Sequence, residues 1–300
     1  MDDIRRFLEG MNLPGRDLHH LPDSATCFRD GALYRVDISG VENLPALHAV
    51  VEMARDLDII VHRVTAFGGI TLLSDHEIRE MGDLGAAQRV EVCLAVGPRA
   101  ADYAERGWRL NGVDDLAYAA ADVHRAVALG IRSILVSDEG LLWVLREMKT
   151  NGVLPEDLIL RASSRLGASN PASIWLLEEL GAASYALPPD LSLARIAAAR
   201  AAVDMPLEIA VDPGGVPWSS VRMYDVAEAV RVAAPIYLSY DTDEVPVPKL
   251  ARVEPEKMIL ACRERVRRAR LGQNVLDRHL PAAVASLRGA EGVAMPLHVA

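Results

Sequence analysis

The feature that most constrains this chain is an eightfold alternation of short apolar runs with longer amphipathic stretches. Each apolar run has the length of a buried strand, and each stretch after it has the period and capping residues of a helix. Strands are predicted at 32–39, 59–67, 90–96, 133–139, 158–164, 183–189, 207–213 and 236–242. Helices are predicted near 43–57, 75–88, 113–129, 140–149, 171–180, 193–203, 224–233 and 255–278.

Eight strand–helix units in series favour one closed sheet. Strands joined by helices run parallel with right-handed crossovers, and eight of them close into a (β/α)8 barrel of the TIM type. A doubly wound open sheet is the alternative. The 300 residues match the usual length of one such barrel. We therefore predict a single domain, with 1–31 as an N-terminal extension and 32–300 as the barrel with its C-terminal helix and tail.

Composition and charge disfavour several classes of protein. The net charge of −10 argues against nucleic acid as a partner, because nucleic-acid binders usually present a basic face. No apolar run reaches the roughly 18 residues of a membrane span, and the charged start MDDIRRFLEG predicts no signal peptide. The expected protein is cytoplasmic and binds a small-molecule substrate. It has no nucleic-acid or membrane partner, and a homo-oligomer is compatible with the sequence.

Polar side chains recur on one face of the predicted strands. Because strand side chains alternate between two faces, the aliphatic set should contact the helices and the polar set should fill the barrel. Burying such charges unpaired is costly, so they must pair with each other or meet a ligand. A structural ion-pair network and a ligand site are both open interpretations. The inward charged residues would be Arg35, Asp37, Arg63, Glu91, Arg161, Glu208 and Asp212.

Catalytic groups of such barrels lie where the strands end. Carboxylates there would supply an acid–base pair, one with its pKa raised by burial. Arginines would clamp a carboxylate or phosphate, because the guanidinium fork matches those groups. The catalytic candidates are Asp138, Glu139, Glu208, Asp212 and His62. The substrate-binding candidates are Arg63, Arg99, Arg161, Ser163, Asp241, Gly68 and Gly69.

The segment VHRVTAFGG (61–69) leaves alternatives open at its polar and glycine positions. Alternation places Arg63 inward, which leaves His62 as a core histidine unless a bulge turns it toward the site. Gly68 and Gly69 allow either a sharp turn or a close approach of backbone N–H groups to an anionic ligand.

Residues 179–212 read ELGAASYALPPDLSLARIAAARAAVDMPLEIAVD. This run resembles the one that precedes the signature of the collagenase-like peptidase family U-32. Four shorter segments resemble a bacterial subgroup of that family: YRVDIS, HRVTAFGGITLLSDHEI, VGPRA and SDEGLLW. The signature glutamate corresponds to Glu208, whereas its histidine falls at Asp212 and its cysteines fall in GGVPWSS. The resemblance implies a barrel enzyme with a peptidase-like hydrolase activity.

Three functions stay open. The first is hydrolysis of a peptide-like bond in a small anionic or amide-bearing substrate. The second is a lyase or isomerase with carboxylate acid–base chemistry, to which a divalent metal held by Glu and Asp would belong. The third is a non-catalytic barrel that binds a small molecule. Some relatives in the family hold an iron–sulfur cluster, but Cys27, Cys93 and Cys262 are too few and too scattered, so none is expected.

Overall fold

Eight parallel strands close into a barrel in chain order, as the alternation of the sequence predicts. The structure is a computed structural model that describes residues 2–11, 13, 20–97, 109–211, 223–241 and 255–298. Each strand bonds to its neighbours in the chain, and the eighth bonds to the first. The strands are β1 (Tyr34–Ser39), β2 (Arg63–Ala66), β3 (Glu91–Val96), β4 (Ser133–Val136), β5 (Ile159–Ala162), β6 (Ser184–Ala186), β7 (Leu207–Ala210) and β8 (Ile236–Tyr240).

Helices alternate with the strands and cover the barrel. They are α1 (Asp2–Gly10), α2 (Leu44–Asp56), α3 (Asp75–Gln88), α4 (Gly112–Ala128), α5 (Glu139–Thr150), α6 (Pro171–Glu179), α7 (Leu193–Arg200), α8 (Val226–Ala233) and α9 (Pro255–His279). Ser74 and Glu77 form the predicted capping box at the start of α3. The C-terminal helix α9 packs against α2 and α8 on the outside. None of the helices in the described ranges is long and apolar enough to cross a bilayer.

Strand β2 is shorter than the apolar run that predicts it. The backbone N–H of Ile59 donates to the carbonyl of Ala54 and so still belongs to the turn that ends α2. Regular pairing begins only at Arg63, which lies opposite Asp37 of β1. His62 therefore precedes the strand, at the end of the barrel where the strands begin.

The two faces of the strands divide as the alternation predicts. Val64, Val92 and Leu160 lie in the aliphatic layer between strands and helices. The opposite face points into the barrel. There the register places Arg63 beside Glu91 of β3, and Glu208 beside Tyr237 of β8. Parallel pairing thus brings charges that are far apart in sequence to one level of the interior.

The end of the barrel where the strands begin is closed by the segment 280–298. Ser286 donates its backbone N–H to the carbonyl of Tyr34 at 3.2 Å, and Leu297 donates to the carbonyl of Gly130 at 2.8 Å. Part of the N-terminal extension lies at the same end, where the Thr26 hydroxyl bonds to the carbonyl of Ala234 at 2.9 Å. The opposite end, the C-terminal mouth, is where the strands finish and where a ligand would have access.

We expect Gly272→Ala to lower the free energy of unfolding. A Cβ atom at Gly272 of α9 would lie 2.0 Å from the hydroxyl oxygen of Tyr240, whose side chain is fully buried. Either α9 or the ring must move, and such overpacking costs about 1–3 kcal/mol. Urea denaturation monitored by circular dichroism measures the change.

The matched control is Gly82→Ala in α3. The atoms nearest to a Cβ there lie at 3.8 Å, an ordinary contact distance. Alanine also has a higher helix propensity than glycine, so this variant should be neutral or more stable by about 1 kcal/mol. Equal destabilisation of both variants would contradict the steric account of Gly272.

Candidate functional site

A pair of ionised side chains crosses the middle of the barrel. Arg161 of β5 donates from Nε to Oε1 of Glu208 at 2.9 Å and from Nη2 to Oε2 of the same carboxylate. The hydroxyl of Ser184 also donates to Oε1, at 2.5 Å. Nη2 of Arg63 lies 2.8 Å from Oε2 of Glu208 without the alignment of a hydrogen bond, so this contact is ionic. The Glu208 carboxylate is thus fully engaged.

Asp37 of β1 is a second centre of the same network. Its Oδ1 accepts from Nε of Arg63 at 3.1 Å and from the hydroxyl of Thr65 at 2.8 Å. Its Oδ2 lies 3.0 Å from the hydroxyl oxygens of both Ser39 and Ser239. Thr65 also accepts from Nη1 of Arg161 at 2.9 Å. This hydroxyl therefore links the two ion pairs into one network.

Glu91 and Arg35 form the layer nearest the closed end. Glu91 accepts from the hydroxyl of Ser133 at 2.7 Å and from the backbone N–H of Ala294 at 3.2 Å. Arg35 donates to the hydroxyl of Ser286 at 2.9 Å and to the carbonyl of Glu291 at 2.7 Å.

Three arginines and three carboxylates thus lie in the described interior, and their formal charges cancel. The six are Arg35, Arg63, Arg161, Asp37, Glu91 and Glu208, and each is at most 2% exposed. Aromatic rings add to the stabilisation of the cations: the guanidinium of Arg63 lies 3.8 Å from the centre of the Tyr237 ring, and that of Arg35 lies 4.0 Å from the centre of the Phe28 ring.

Glu208 is a permanent anion of this network. Burial alone would raise its pKa, but the charges of Arg161 and Arg63 and the hydrogen bonds that it accepts outweigh burial and lower the pKa to about 2. A carboxylate with so low a pKa is a poor proton acceptor at neutral pH. Its geometry assigns Glu208 to the scaffold rather than to the predicted acid–base pair.

Arg63 and Arg161 were predicted to hold a substrate anion, but in the structure both are paired with protein carboxylates. Arg161 has bonds from all three nitrogens, to Glu208 and Thr65. Both side chains are sealed from solvent. In this arrangement neither guanidinium is open to a ligand in the mouth.

His62 lies at the closed end of the barrel, far from the ends of the strands. Its Nδ1 accepts the backbone N–H of Val36 at 2.9 Å, and its Nε2 donates to the carbonyl of Ser286 at 2.7 Å. Burial lowers its pKa to about 4, so the ring is neutral at physiological pH. The prediction of a catalytic His62 is corrected: both ring nitrogens hold backbone groups, and the residue fastens the C-terminal segment to the barrel.

Asp138 and Glu139 lie at the mouth, where they fix the start of α5. Oδ1 of Asp138 caps the helix by accepting from Leu141 at 2.9 Å, and its Oδ2 accepts from the backbone N–H of Leu110 at 3.2 Å. Glu139 is paired with Arg109. Both carboxylates therefore hold residues 109–110, just before α4, and each has a structural partner.

Asp241 and Ser163 also lie where strands end. Oδ1 of Asp241 is 3.0 Å from Nη2 of Arg265 on α9, and its side chain is 33% exposed. This exposure leaves Asp241 reachable from solvent. Ser163 is buried, and its hydroxyl accepts from the backbone N–H of Arg165 at 3.3 Å, which caps a short 3-10 helix.

Gly68 and Gly69 form the turn after β2, and the anion that their loop meets is internal. The carboxylate of Glu42 accepts from the backbone N–H of Phe67 at 3.0 Å and of Gly68 at 2.5 Å. A Cβ at Gly68 would lie 2.7 Å from that carboxylate. Gly69 has a φ of 92°, a conformation that favours glycine. The two glycines thus form the sharp turn, and the N–H groups of Phe67 and Gly68 bind a protein carboxylate, so anion binding by this loop stays a prediction.

Two predicted site residues, Arg99 and Asp212, lie outside the described residues. Their roles stay predictions from the sequence. The same holds for the loop GGVPWSS, in which the signature cysteines of the peptidase family would fall.

The floor of the C-terminal mouth consists of small side chains. On the inward face, Ala95, Ala186, Ala210 and Ser239 are partly exposed, whereas the charged layer below them is sealed. These side chains are short, and they lie directly above the sealed network. Ser239 is the floor residue that bonds to the network, through Asp37.

Sequence reasoning placed Asp37 among the inward charges but did not select it, Ser39 or Ser239 as site residues. The sequence signal for these three residues is that Asp37, Ser39 and Ser239 all occupy inward-facing positions on their strands. They form a cluster only because β8 bonds to β1. Glu42 was missed because it follows β1 in a loop, where no periodicity marks it.

The side chains that could bind a metal, including the thiols, are scattered in the parts of the chain that the structure describes. No three His, Cys, Asp or Glu side chains in those ranges are grouped as a metal site. Cys27 is exposed, and Cys93 and Cys262 are separately buried. A divalent metal and the expected absence of an iron–sulfur cluster both stay predictions.

Comparison with known proteins supports the fold. No protein-family model and no curated sequence matches the chain. The YdjI aldolase from Escherichia coli K12 superposes with a TM-score of 0.51 at 13% identity, covering 84% of this chain and 94% of that one. A candidate fructose-1,6-biphosphate aldolase from Coccidioides immitis superposes with a TM-score of 0.52 at 14% identity, covering 83% and 91%. At such identities the similarity shows the barrel fold alone.

One of the solved structures on which the chain superposes is a U32 peptidase. The U32 peptidase Mk0906 superposes with a TM-score of 0.42 at 18% identity, covering 63% of this chain and 72% of that one. This similarity is too low to assign the chain to that family.

We expect Arg161→Lys to destabilise the fold. Lysine keeps the charge but loses the planar fork that binds both oxygens of Glu208, and a weakened buried ion pair costs on the order of 3 kcal/mol. Thermal and urea unfolding measure the loss. Arg267→Lys on the exposed face of α9 is the control, and its effect should stay within about 0.5 kcal/mol. A stable Arg161→Lys protein would show that the bidentate contact is dispensable.

We also expect acid to weaken the closed end through His62. The unfolded chain takes up this proton near pH 6.5 and the folded chain only near pH 4. The contribution of neutral His62 to the free energy of unfolding is therefore fully present above pH 6.5. It is lost as the pH falls from 6.5 to 4, by on the order of 3 kcal/mol. Urea unfolding at several pH values should show a flatter pH dependence for His62→Gln than for the exposed control His48→Gln. Identical slopes would contradict the assignment.

Proposed function

We propose that this protein is an enzyme that acts on a small polar substrate in the C-terminal mouth, with lyase or isomerase chemistry. The observation that carries the proposal is the change in exposure along the barrel interior. The charged layer is sealed, and the floor of Ala95, Ala186, Ala210 and Ser239 above it is partly open. Barrel enzymes bind their substrates at this end.

The described part of the mouth offers few binding groups for an anionic substrate. Arg63 and Arg161 are engaged below the floor, and Arg109 and Arg265 at the mouth are paired with carboxylates. Arg165, in the short 3-10 helix after β5, is exposed. Of the predicted binding arginines, Arg99 lies outside the described residues and stays a candidate for a substrate carboxylate or phosphate. A polar substrate without a strong anionic group fits the described surface better.

The acid–base role falls to residues at the ends of β7 and β8. Glu208 is ionised and sealed, and Asp138 and Glu139 hold the start of α5. Asp241, predicted as a substrate-binding residue at the end of β8, has a side chain that is 33% exposed and so reachable from solvent. Asp212 keeps the inward phase of β7 in the sequence and is the second candidate. Two carboxylates on adjacent strands suit proton abstraction and return during bond cleavage or isomerisation.

Two considerations favour a lyase or isomerase over a peptidase-like hydrolase. The signature histidine and cysteines of the resembling peptidases are missing from this sequence. Two barrels on which the chain superposes are a named aldolase and a candidate aldolase. Hydrolysis of an amide-bearing substrate therefore ranks second among the catalytic alternatives.

One observation favours a non-catalytic binding barrel as the second candidate function. The acids of the described interior and mouth that were considered as catalysts all have protein partners. A scaffold of satisfied charges binds a ligand without requiring proton transfer. Turnover assays separate this candidate from the enzyme.

We expect Ala210→Met to abolish activity while the fold survives. The longer side chain would fill the mouth floor and displace a bound substrate, and a displacement of about 1 Å can lower catalysis on the order of a hundredfold. The assay is a panel of short β-hydroxy carbonyl compounds, with and without Mg²⁺, Mn²⁺ or Zn²⁺, followed by NMR for cleavage or isomerisation. Small peptides and amides form the hydrolase panel.

Ala198→Met on the exposed face of α7 is the matched control and should retain full activity. Turnover that Ala210→Met leaves intact would place the active site elsewhere. Cleavage confined to the amide panel would replace the lyase proposal by the hydrolase. Binding of panel compounds without turnover in any condition would favour the binding barrel.

A further inference from the structure

A triangle of oxygen atoms joins the mouth floor to the charged interior. The hydroxyl oxygens of Ser39 and Ser239, on the adjacent strands β1 and β8, lie 2.8 Å apart. Each of them is also 3.0 Å from Oδ2 of Asp37. All three separations are hydrogen-bond distances for oxygen donors and acceptors.

The protons in this triangle are all used within it. Asp37 faces the guanidinium of Arg63 at 3.1 Å, so as the anion of that ion pair it only accepts. Two hydroxyl groups supply two protons to three contacts. Either both serines donate to Asp37, or one donates to its neighbour and that neighbour donates to Asp37. In both arrangements neither serine keeps a proton for a ligand.

Ser239 keeps at least one lone pair that is not used in the triangle, and it is the partly exposed member of the three residues. Ser39 is 3% exposed, whereas Ser239 is partly exposed at the mouth floor. Turning the Ser239 proton toward a ligand would break a hydrogen bond inside the triangle, either to the charged Asp37 or to Ser39. The floor therefore presents an acceptor, and the group that matches it is a donor.

We infer that the mouth recognises a hydroxyl group of a neutral, polyhydroxylated substrate, which donates its proton to Oγ of Ser239. This inference rests on the proposed function, because it concerns the same site. Ser239 is then a binding residue, and Asp37 is the positioning residue that fixes the direction of its proton. Arg63 holds Asp37 in place.

The surrounding charges select against the two ionic alternatives. A carboxylate or phosphate has no proton to donate, and it would face an acceptor above a buried network whose formal charges cancel. An ammonium group would require a carboxylate partner. Asp138, Glu139 and Asp241 at the mouth already have partners, so a neutral hydroxyl group requires the least rearrangement there.

The experiment compares three four-carbon probes by isothermal titration calorimetry or saturation-transfer NMR: erythritol, butane-1,4-diol and succinate. Erythritol should bind the wild-type protein more tightly than the diol, and succinate should bind most weakly. Ser239→Ala should weaken erythritol binding by roughly three- to tenfold, the effect of one lost hydrogen bond. It should leave the weak succinate binding unchanged.

Ser184→Ala is the matched control. It also removes a serine hydroxyl from an interior carboxylate, but Ser184 bonds to Glu208 within the sealed layer. It should lower the melting temperature without changing erythritol affinity. Ser39→Ala serves as a second variant, since Ser239 can then donate only to Asp37 and still accept from the ligand. Its erythritol affinity should stay close to the wild-type value.

The outcomes separate this inference from the proposed function. If Ala210→Met abolishes erythritol binding and Ser239→Ala does not change it, the site stands and the role of Ser239 is overturned. If neither variant affects binding, the mouth is not the site and both fail. Tighter binding of succinate than of erythritol, or no erythritol binding up to its solubility, overturns the inferred substrate class.

Discussion

The bidentate pairing of Arg161 with Glu208 is the interaction on which the rest of the interior depends. A barrel of this size is usually filled by branched apolar side chains. Here the filling is ionic, and each buried charge is tolerable only because an opposite charge lies beside it. Thr65 joins this pair to Asp37 and Arg63, so the pairs support each other. The price of removing one member is an uncompensated charge for the others.

A charged interior also accounts for the segments outside the eight repeats. Arg35, Glu91 and His62 lie near the closed end, where the strands alone do not satisfy their polar atoms. The segment 280–298 supplies the missing groups: the hydroxyl and carbonyl of Ser286, the carbonyl of Glu291 and the N–H of Ala294. Its role is therefore to satisfy buried polar groups, which an apolar plug could not do.

The sequence predicts the number of strands and the direction of the polar face, because both follow from local periodicity. The sequence does not predict which of the inward charged residues pair with each other. Arg161 meets Glu208 across 47 positions of chain, and only the stagger of the closed sheet decides this pairing. It also left His62 undecided, since one extra strand residue would have turned the side chain the other way. The candidate site was predicted only as a region, because its floor is made of small residues that carry no chemical signal.

The same network limits where pH-dependent chemistry can occur. Glu208 is held as an anion down to about pH 2, and the neighbouring charges raise the pKa of Arg63 further above its usual value, although burial opposes this. His62 stays neutral until about pH 4. These groups therefore keep their charges throughout the neutral range. These three groups cannot cause a change in activity between about pH 5 and 9, since a scaffold that does not titrate has no effect there. The interior thus fixes the geometry and the field, and under the proposed function the reactive protons would belong to groups at the ends of the strands.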